Sequence, residues 1–206
     1  MSSQYLCLKD FEKNLGFYFS ELLEKPFAKP LWIYISLSHK CTYACQMCGV
    51  VKILKGLELK QEVLRNIFTE ISKWESDSTV VITGGEPFLR EDIFEIIQYA
   101  TEKNLKVETV SNGSLIDEKL ADRIIESSLK NISISLDGAM EKTHDYIRQK
   151  GAFKNALKAI TNLVAAKKRI GSGAQISVWT TIMKENVGEL FDIISLISDL
   201  GVECLV

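Results

Sequence analysis

From the N-terminus, apolar residues first recur at helical spacing. Leu8, Phe11, Leu15, Phe19, Leu22 and Leu23 form one stripe over residues 8–24, and Pro26 and Pro30 then stop it. Beyond that the hydrophobic period alternates. Runs rich in β-branched and aromatic residues predict strands at 31–37 (LWIYISL), 79–83 (TVVIT), 106–110 (KVETV), 131–136 (NISISL) and 175–183 (QISVWTTIM), and a sixth, ECLV, starts at Glu203. Helical patterns lie between them at 61–74, 93–103, 117–127, 153–169 and 187–200. Such alternation predicts an α/β fold with a parallel sheet and helical crossovers. GSG at 171–173 reads as a helix-to-strand loop. Residues 31–206 are therefore expected to form one domain, with residues 1–30 as a helical lead-in.

Ligands of parallel α/β folds bind at the carboxyl ends of the strands. After the first strand comes HKCTYACQMCGV, after the second GGEP, after the third SNG and after the fourth DGA. The opposite ends carry ordinary turn chemistry such as EKN and ESSLK. The unusual residues thus fall on one rim.

Cys41, Cys45 and Cys48 have the spacing CxxxCxxC. Three thiolates can hold three corners of a cubane iron–sulfur cluster and leave one iron open. A structural zinc site needs a fourth ligand, and the nearby candidate, His39, is too close in sequence to Cys41 to wrap the ion comfortably. Cluster, zinc site and plain buried thiols all remain open at this level. Gly84 and Gly85 allow close backbone approach to a ligand, and Glu86 adds a carboxylate suited to an ammonium group. GGEP reads equally well as a strand-to-helix turn with Glu86 near a helix N-terminus. Alternation in ISISLDG puts Ser133 and Ser135 on the face opposite Ile132 and Ile134, and Arg148 offers a fork of donors to a carboxylate.

Composition narrows the function classes. A net charge of -2 argues against a nucleic-acid partner, and the densest basic run, Lys167-Lys168-Arg169, suits a helix C-terminus. No apolar run is long enough to cross a bilayer, and the N-terminus lacks the pattern of a signal peptide, so a cytoplasmic protein without a membrane partner is expected. Five cysteines with three clustered do not form a secreted disulfide framework. Cys7 and Cys204 read as small buried hydrophobes.

Taken together, the cysteine loop, TGGEPFL, SNG, SLDG with HDYIR and GAF, and VWTTIMKEN resemble the radical S-adenosylmethionine (SAM) superfamily from about Leu31 onward. The likeness is greatest to its branch of sulfatase-maturing and peptide-maturing (SPASM/twitch-type) enzymes. The resemblance implies a (βα)6-type partial TIM barrel, here cut short at the sixth strand. It also implies a [4Fe–4S] cluster on Cys41, Cys45 and Cys48, with SAM chelating the fourth iron. Gly84, Gly85 and Glu86 would hold the methionine ammonium, and Ser135 and Arg148 would contact the ribose and carboxylate region. Asn112 and Thr180 are further rim candidates. The residue before the third cysteine is commonly aromatic in this superfamily and packs by the adenine; here it is Met47. The implied chemistry is reductive SAM cleavage to a 5′-deoxyadenosyl radical that abstracts hydrogen from a substrate, such as a peptide or protein. A low-potential donor such as flavodoxin or ferredoxin would supply the electron. The abrupt end leaves room for a different reading, a non-catalytic or truncated iron–sulfur, SAM- or zinc-binding module.

Overall fold

Among the described residues six strands form where the β-branched runs predict them: β1 (Trp32–Ser36), β2 (Thr79–Thr83), β3 (Lys106–Ser111), β4 (Asn131–Ser135), β5 (Gln175–Trp179) and β6 (Cys204–Leu205). The computed structural model describes residues 8–50, 57–74, 78–202 and 204–206, with side chains from Asn14 onward. Sheet order follows chain order, every pairing is parallel, and among the described residues β1 and β6 do not pair. The result is an open partial TIM barrel. Helix α1 (Leu8–Leu23) precedes the sheet, and α2 (Gln61–Ser72), α3 (Ile93–Glu102), α4 (Glu118–Glu126), α6 (Ala152–Ile170) and α7 (Leu190–Asp199) make the crossovers.

One face of the sheet is aliphatic. Val80 and Ile82, Ile132 and Ile134, and Ile176 and Val178 meet Leu64 and Phe68 of α2, Ile96 and Ile97 of α3, Ile124 and Ile125 of α4, and Ile160 and Leu163 of α6 in one continuous core. Each such side chain contributes about 1.5–3 kcal/mol by leaving water. The inner face differs from that of an ordinary barrel, whose interior is filled by layers of Val, Ile and Leu. Here its positions include Tyr34, Glu108, Ser133, Ser177 and Trp179, which leave cavities.

Four details depart from the sequence reading. The fifth strand stops at Trp179, four residues before the end of the QISVWTTIM run. Beyond it Thr180 Oγ donates to the Leu136 carbonyl, and the Thr181 N–H goes to Asp137 Oδ1, so the chain turns across the rim. The last helical pattern begins as a 3-10 turn (Val187–Glu189) before α7. A short helix, α5 (Glu141–Ile147), occupies HDYI and buries His144 and Ile147 on one side. Cys204 is exposed, because it sits on the edge strand β6, and is not the buried hydrophobe expected; Cys7 lies outside the described residues. On α1, Leu15, Phe19, Leu22 and Leu23 are exposed among the described residues, while the side chains of Leu8 and Phe11 lie outside them. No helix of the described residues is long and apolar enough to cross a membrane.

Candidate active site

The rim is assembled by bonds between loops that follow different strands. Gly85 N–H donates to the Ser38 carbonyl (2.7 Å) and Glu86 N–H to the Lys40 carbonyl (2.8 Å), so GGEP runs directly beside the entry to the cysteine loop. The approach requires glycine. A Cβ on Gly85 would lie 1.9 Å from the Lys40 carbonyl oxygen, and one on Gly84, at φ +129°, would lie 2.4 Å from that of Ser38. On the far side the loop is held by Gln46, whose N–H reaches the Ile147 carbonyl (2.9 Å), and by Tyr43, whose hydroxyl accepts from Asn155 Nδ2 (2.7 Å). Asn112 closes the third side, donating to Thr42 Oγ (3.0 Å) and to the Cys41 sulfur (3.6 Å).

These loops enclose a cavity of about 390 Å³. It is lined by Cys41, Cys45, Met47, Cys48, Gly84, Gly85, Asn112, Ser135 and Arg148, which the sequence singled out, and by Tyr34, Tyr43, Thr181 and Trp179, which it did not. Alternation in LWIYISL and QISVW could have identified Tyr34 and Trp179, because both occupy inward positions of their strands. Thr180 is not at the cavity; its neighbour Thr181 takes that place.

Glu86 is buried beneath the rim instead of lining the cavity. Its carboxylate accepts from Ser111 Oγ (2.8 Å), the Asn112 N–H (2.9 Å) and the Phe88 N–H (3.3 Å). It therefore ties the ends of β2 and β3 together and also caps the 3-10 turn Pro87–Leu89. With the N–H groups of Gly85 and Glu86 engaged, the carbonyls of Gly84 and Gly85 accept no hydrogen bond among the described residues. The segment thus presents acceptors to the cavity, with a carboxyl group below.

Arg148 is held by Asp137, a fully buried carboxylate 2.5 Å from its Nε. Asp137 is fixed in turn by the Thr181 N–H, while Asn186 Nδ2 bonds the carbonyls of Asp137 and Thr181. The remaining guanidinium nitrogens are unbonded among the described residues and border the cavity. Replacing Asp137 by alanine strands a mostly buried cation, so an expected loss of about 3–5 kcal/mol should appear in urea unfolding. A change below about 1 kcal/mol would mean that the pair does not brace the rim.

Burial raises the thiol pKa of both Cys41 and Cys45. For Cys41 the Tyr43 N–H (3.4 Å from the sulfur) and Asn112 oppose the rise, and for Cys45 Arg148 does. Donors directed at the sulfur suit a thiolate ligated to a cation, whose charge would reverse the effect of burial. Among the described residues no group of three His, Cys, Asp or Glu side chains is arranged around a single metal ion. A cubane instead takes one thiolate on each of three irons.

Two buried groups give the cluster-free protein a specific pH signature. Burial pushes the Glu86 carboxyl up to about 7, against the pull of its three donors. Burial, aided by the Arg148 charge, pushes His144 down to about 4. His144 Nδ1 accepts from the Asp137 N–H, and its Nε2 has no hydrogen-bond partner among the described residues. Each displacement corresponds to about 3 kcal/mol. The signs are opposite. Glu86 contributes stability that is lost as pH rises from 4.5 to 7, whereas His144 contributes stability that is lost as pH falls from 6.5 to 4. Unfolding free energy is expected to stay nearly flat from pH 4.5 to 6.5. Glu86→Gln should make it rise with pH, and His144→Gln should make it fall. Urea titrations showing the same slope in both variants would contradict this assignment.

The sequence matches the Radical SAM superfamily over residues 35–197. It is 33% identical over 183 residues to mycofactocin maturase MftC of Mycobacterium ulcerans, covering 88% of this chain and 48% of that protein. It is 29% identical over 175 residues to an AdoMet-dependent heme synthase of Methanosarcina barkeri, covering 84% of this chain and 48% of that protein. The chain thus spans about half the length of these relatives, which are enzymes. In fold it is similar to Streptococcus suis SuiB bound to S-adenosylmethionine (TM-score 0.69, 16% identity, 85% of this chain and 40% of that one). It is also similar to anSMEcpe with bound AdoMet (TM-score 0.66, 20% identity, 86% of this chain and 50% of that one). Three cysteines and two glycines on one rim of a parallel partial barrel, together with a match over most of its length, establish that this chain belongs to the radical SAM superfamily.

Proposed function

We propose that the upper rim binds a [4Fe–4S] cluster through Cys41, Cys45 and Cys48 together with SAM, and that the protein acts as a radical enzyme on a peptide or protein substrate. The observation that carries this is the opening of three thiols and the free carbonyls of Gly84 and Gly85 onto one cavity. Its volume, about 390 Å³, lies in the range of small-molecule sites. When bound, the cluster and SAM supply reductive cleavage of the sulfonium and a 5′-deoxyadenosyl radical able to abstract hydrogen.

The side chains have separate tasks. Gly84 and Gly85 offer carbonyl acceptors to an ammonium, with Glu86 supplying charge from below. Arg148, fixed at Nε, turns its other nitrogens to a carboxylate, and Ser135 offers its hydroxyl to a ribose. Met47 gives adenine a thioether surface. Asn112 orients Cys41, and Thr180 acts through the rim backbone. The peptide reading is supported by the names of two relatives, a mycofactocin maturase and a SuiB structure bound to precursor peptide SuiA. A low-potential donor such as flavodoxin or ferredoxin would deliver the electron. Metal analysis after anaerobic purification is expected to give about four irons and four acid-labile sulfides per chain. One zinc per chain and no sulfide would favour the metal-binding module instead.

A further inference from the structure

A second cavity, of about 610 Å³, lies on the same inner face, deeper in the barrel. Tyr34 and Trp179 line both spaces, their rings edge-on at 6.4 Å, and so stand between the two. Below them the lower cavity is bordered by Glu108, Trp32 and a polar wall. In that wall Asn131 Nδ2 donates to Ser133 Oγ (3.1 Å) and Ser177 Oγ (2.9 Å), and the two hydroxyls share a bond of 2.8 Å. The wall satisfies itself. Glu108 does not share in it: half-buried, with Val81 and Asn131 as its register neighbours, it forms no hydrogen bond or ion pair among the described residues. Lys106, on the same face two residues earlier, has contacts of its own.

Half-buried on the cavity wall, the Glu108 carboxylate offers its charge to whatever enters there. A cation entering beside it would gain that charge and contact with the aromatic side chains of Trp32, Tyr34 and Trp179, which border the same space. Strand geometry sets the length of such a ligand. Val110 belongs to the upper cavity and Glu108 to the lower, a separation of two residues or about 7 Å along β3. A four-carbon stem spans that distance, leaving its root at the upper cavity.

We propose that the lower cavity is a recognition site for an organic cation on a short aliphatic tether, as carried by a lysine side chain of a peptide substrate. Its role in catalysis rests on the reading of the upper cavity given above; binding itself does not. The test uses pentylamine, 1-pentanol and pentanoate as probes of ¹⁵N-labelled, cluster-free protein, observed through the tryptophan indole N–H signals. Trp32 and Trp179 border the cavity, while Trp74, under Lys29, lies elsewhere and serves as the control.

Pentylamine is expected to shift Trp32 and Trp179 but not Trp74, with a Kd at least about tenfold below that of 1-pentanol. Pentanoate should bind more weakly than either. In Glu108→Gln the preference for amine over alcohol should fall below about threefold. Equal affinities for the three probes on the unmodified chain, or a preference that survives Glu108→Gln in a folded variant, would overturn the proposal. The three-probe comparison decides even where the variant fails to fold. Because neither cluster nor SAM takes part, this result and that of SAM cleavage fail independently.

Discussion

Replacing Cys45 by alanine is expected to yield a folded protein that retains less than about one iron per chain after reconstitution, against about four in the unmodified chain, and forms no 5′-deoxyadenosine above background. Cys45 is buried against Tyr43 and Ala152, so its loss removes one sulfur atom from a small apolar contact while the loop stays anchored by Tyr43 and Gln46. The fold should lose about 1 kcal/mol, whereas the proposed cluster would lose one of its three protein ligands. Cys204→Ala is the control: exposed on β6, it should keep its full iron content. Full iron in Cys45→Ala would show that the three cysteines are not the ligand set.

Gly85→Ala is expected to have the second large effect, through the backbone. The added methyl would meet the carbonyl oxygen of Lys40 at 1.9 Å, its carbon at 2.5 Å and Cys41 Cβ at 3.1 Å. The first two are main-chain atoms that cannot rotate away. Relief requires separating GGEP from the cysteine loop and breaking the bonds to Ser38 and Lys40. A cost of about 3 kcal/mol, or a fall in Tm of about 6–12 °C for a domain of this size, is expected together with loss of cluster assembly. Gly173→Ala separates the two effects. There the Cβ would meet the Ile125 carbonyl oxygen at 2.1 Å, in the loop before β5. Stability should fall while the folded fraction still takes up iron. Gly85→Ala protein with normal iron uptake would show that close loop contact is unnecessary.

Much of this arrangement is legible in the sequence because it depends on period and order. The alternation NISIS is enough to put Ile132 and Ile134 in the core and Ser133 and Ser135 inside the barrel, and the order of motifs puts cysteines, glycines and SNG on one rim. Harder to read were features set by contacts between loops. Glu86 has the same local sequence whether it faces a ligand or a neighbouring strand end, and only folding brings Ser111 and Asn112 onto its oxygens. Asp137 stood in a recognised motif, yet its tasks of holding Arg148 and the turn after β5 depend on residues distant in sequence. Thr180 and Thr181 differ by one step. Their exchange at the rim follows from β5 ending at Trp179, which its continuous β-branched run does not announce. The short helix α5 was masked by polar residues in HDYIR, since two buried positions are too few for a clear helical period.

The most direct measurement is SAM turnover by this chain after anaerobic reconstitution with iron and sulfide. With dithionite as reductant, equal amounts of 5′-deoxyadenosine and methionine should form, and formation should stop in Cys45→Ala. A protein carrying a complete cluster that binds SAM yet never cleaves it under these conditions would contradict the proposed radical chemistry.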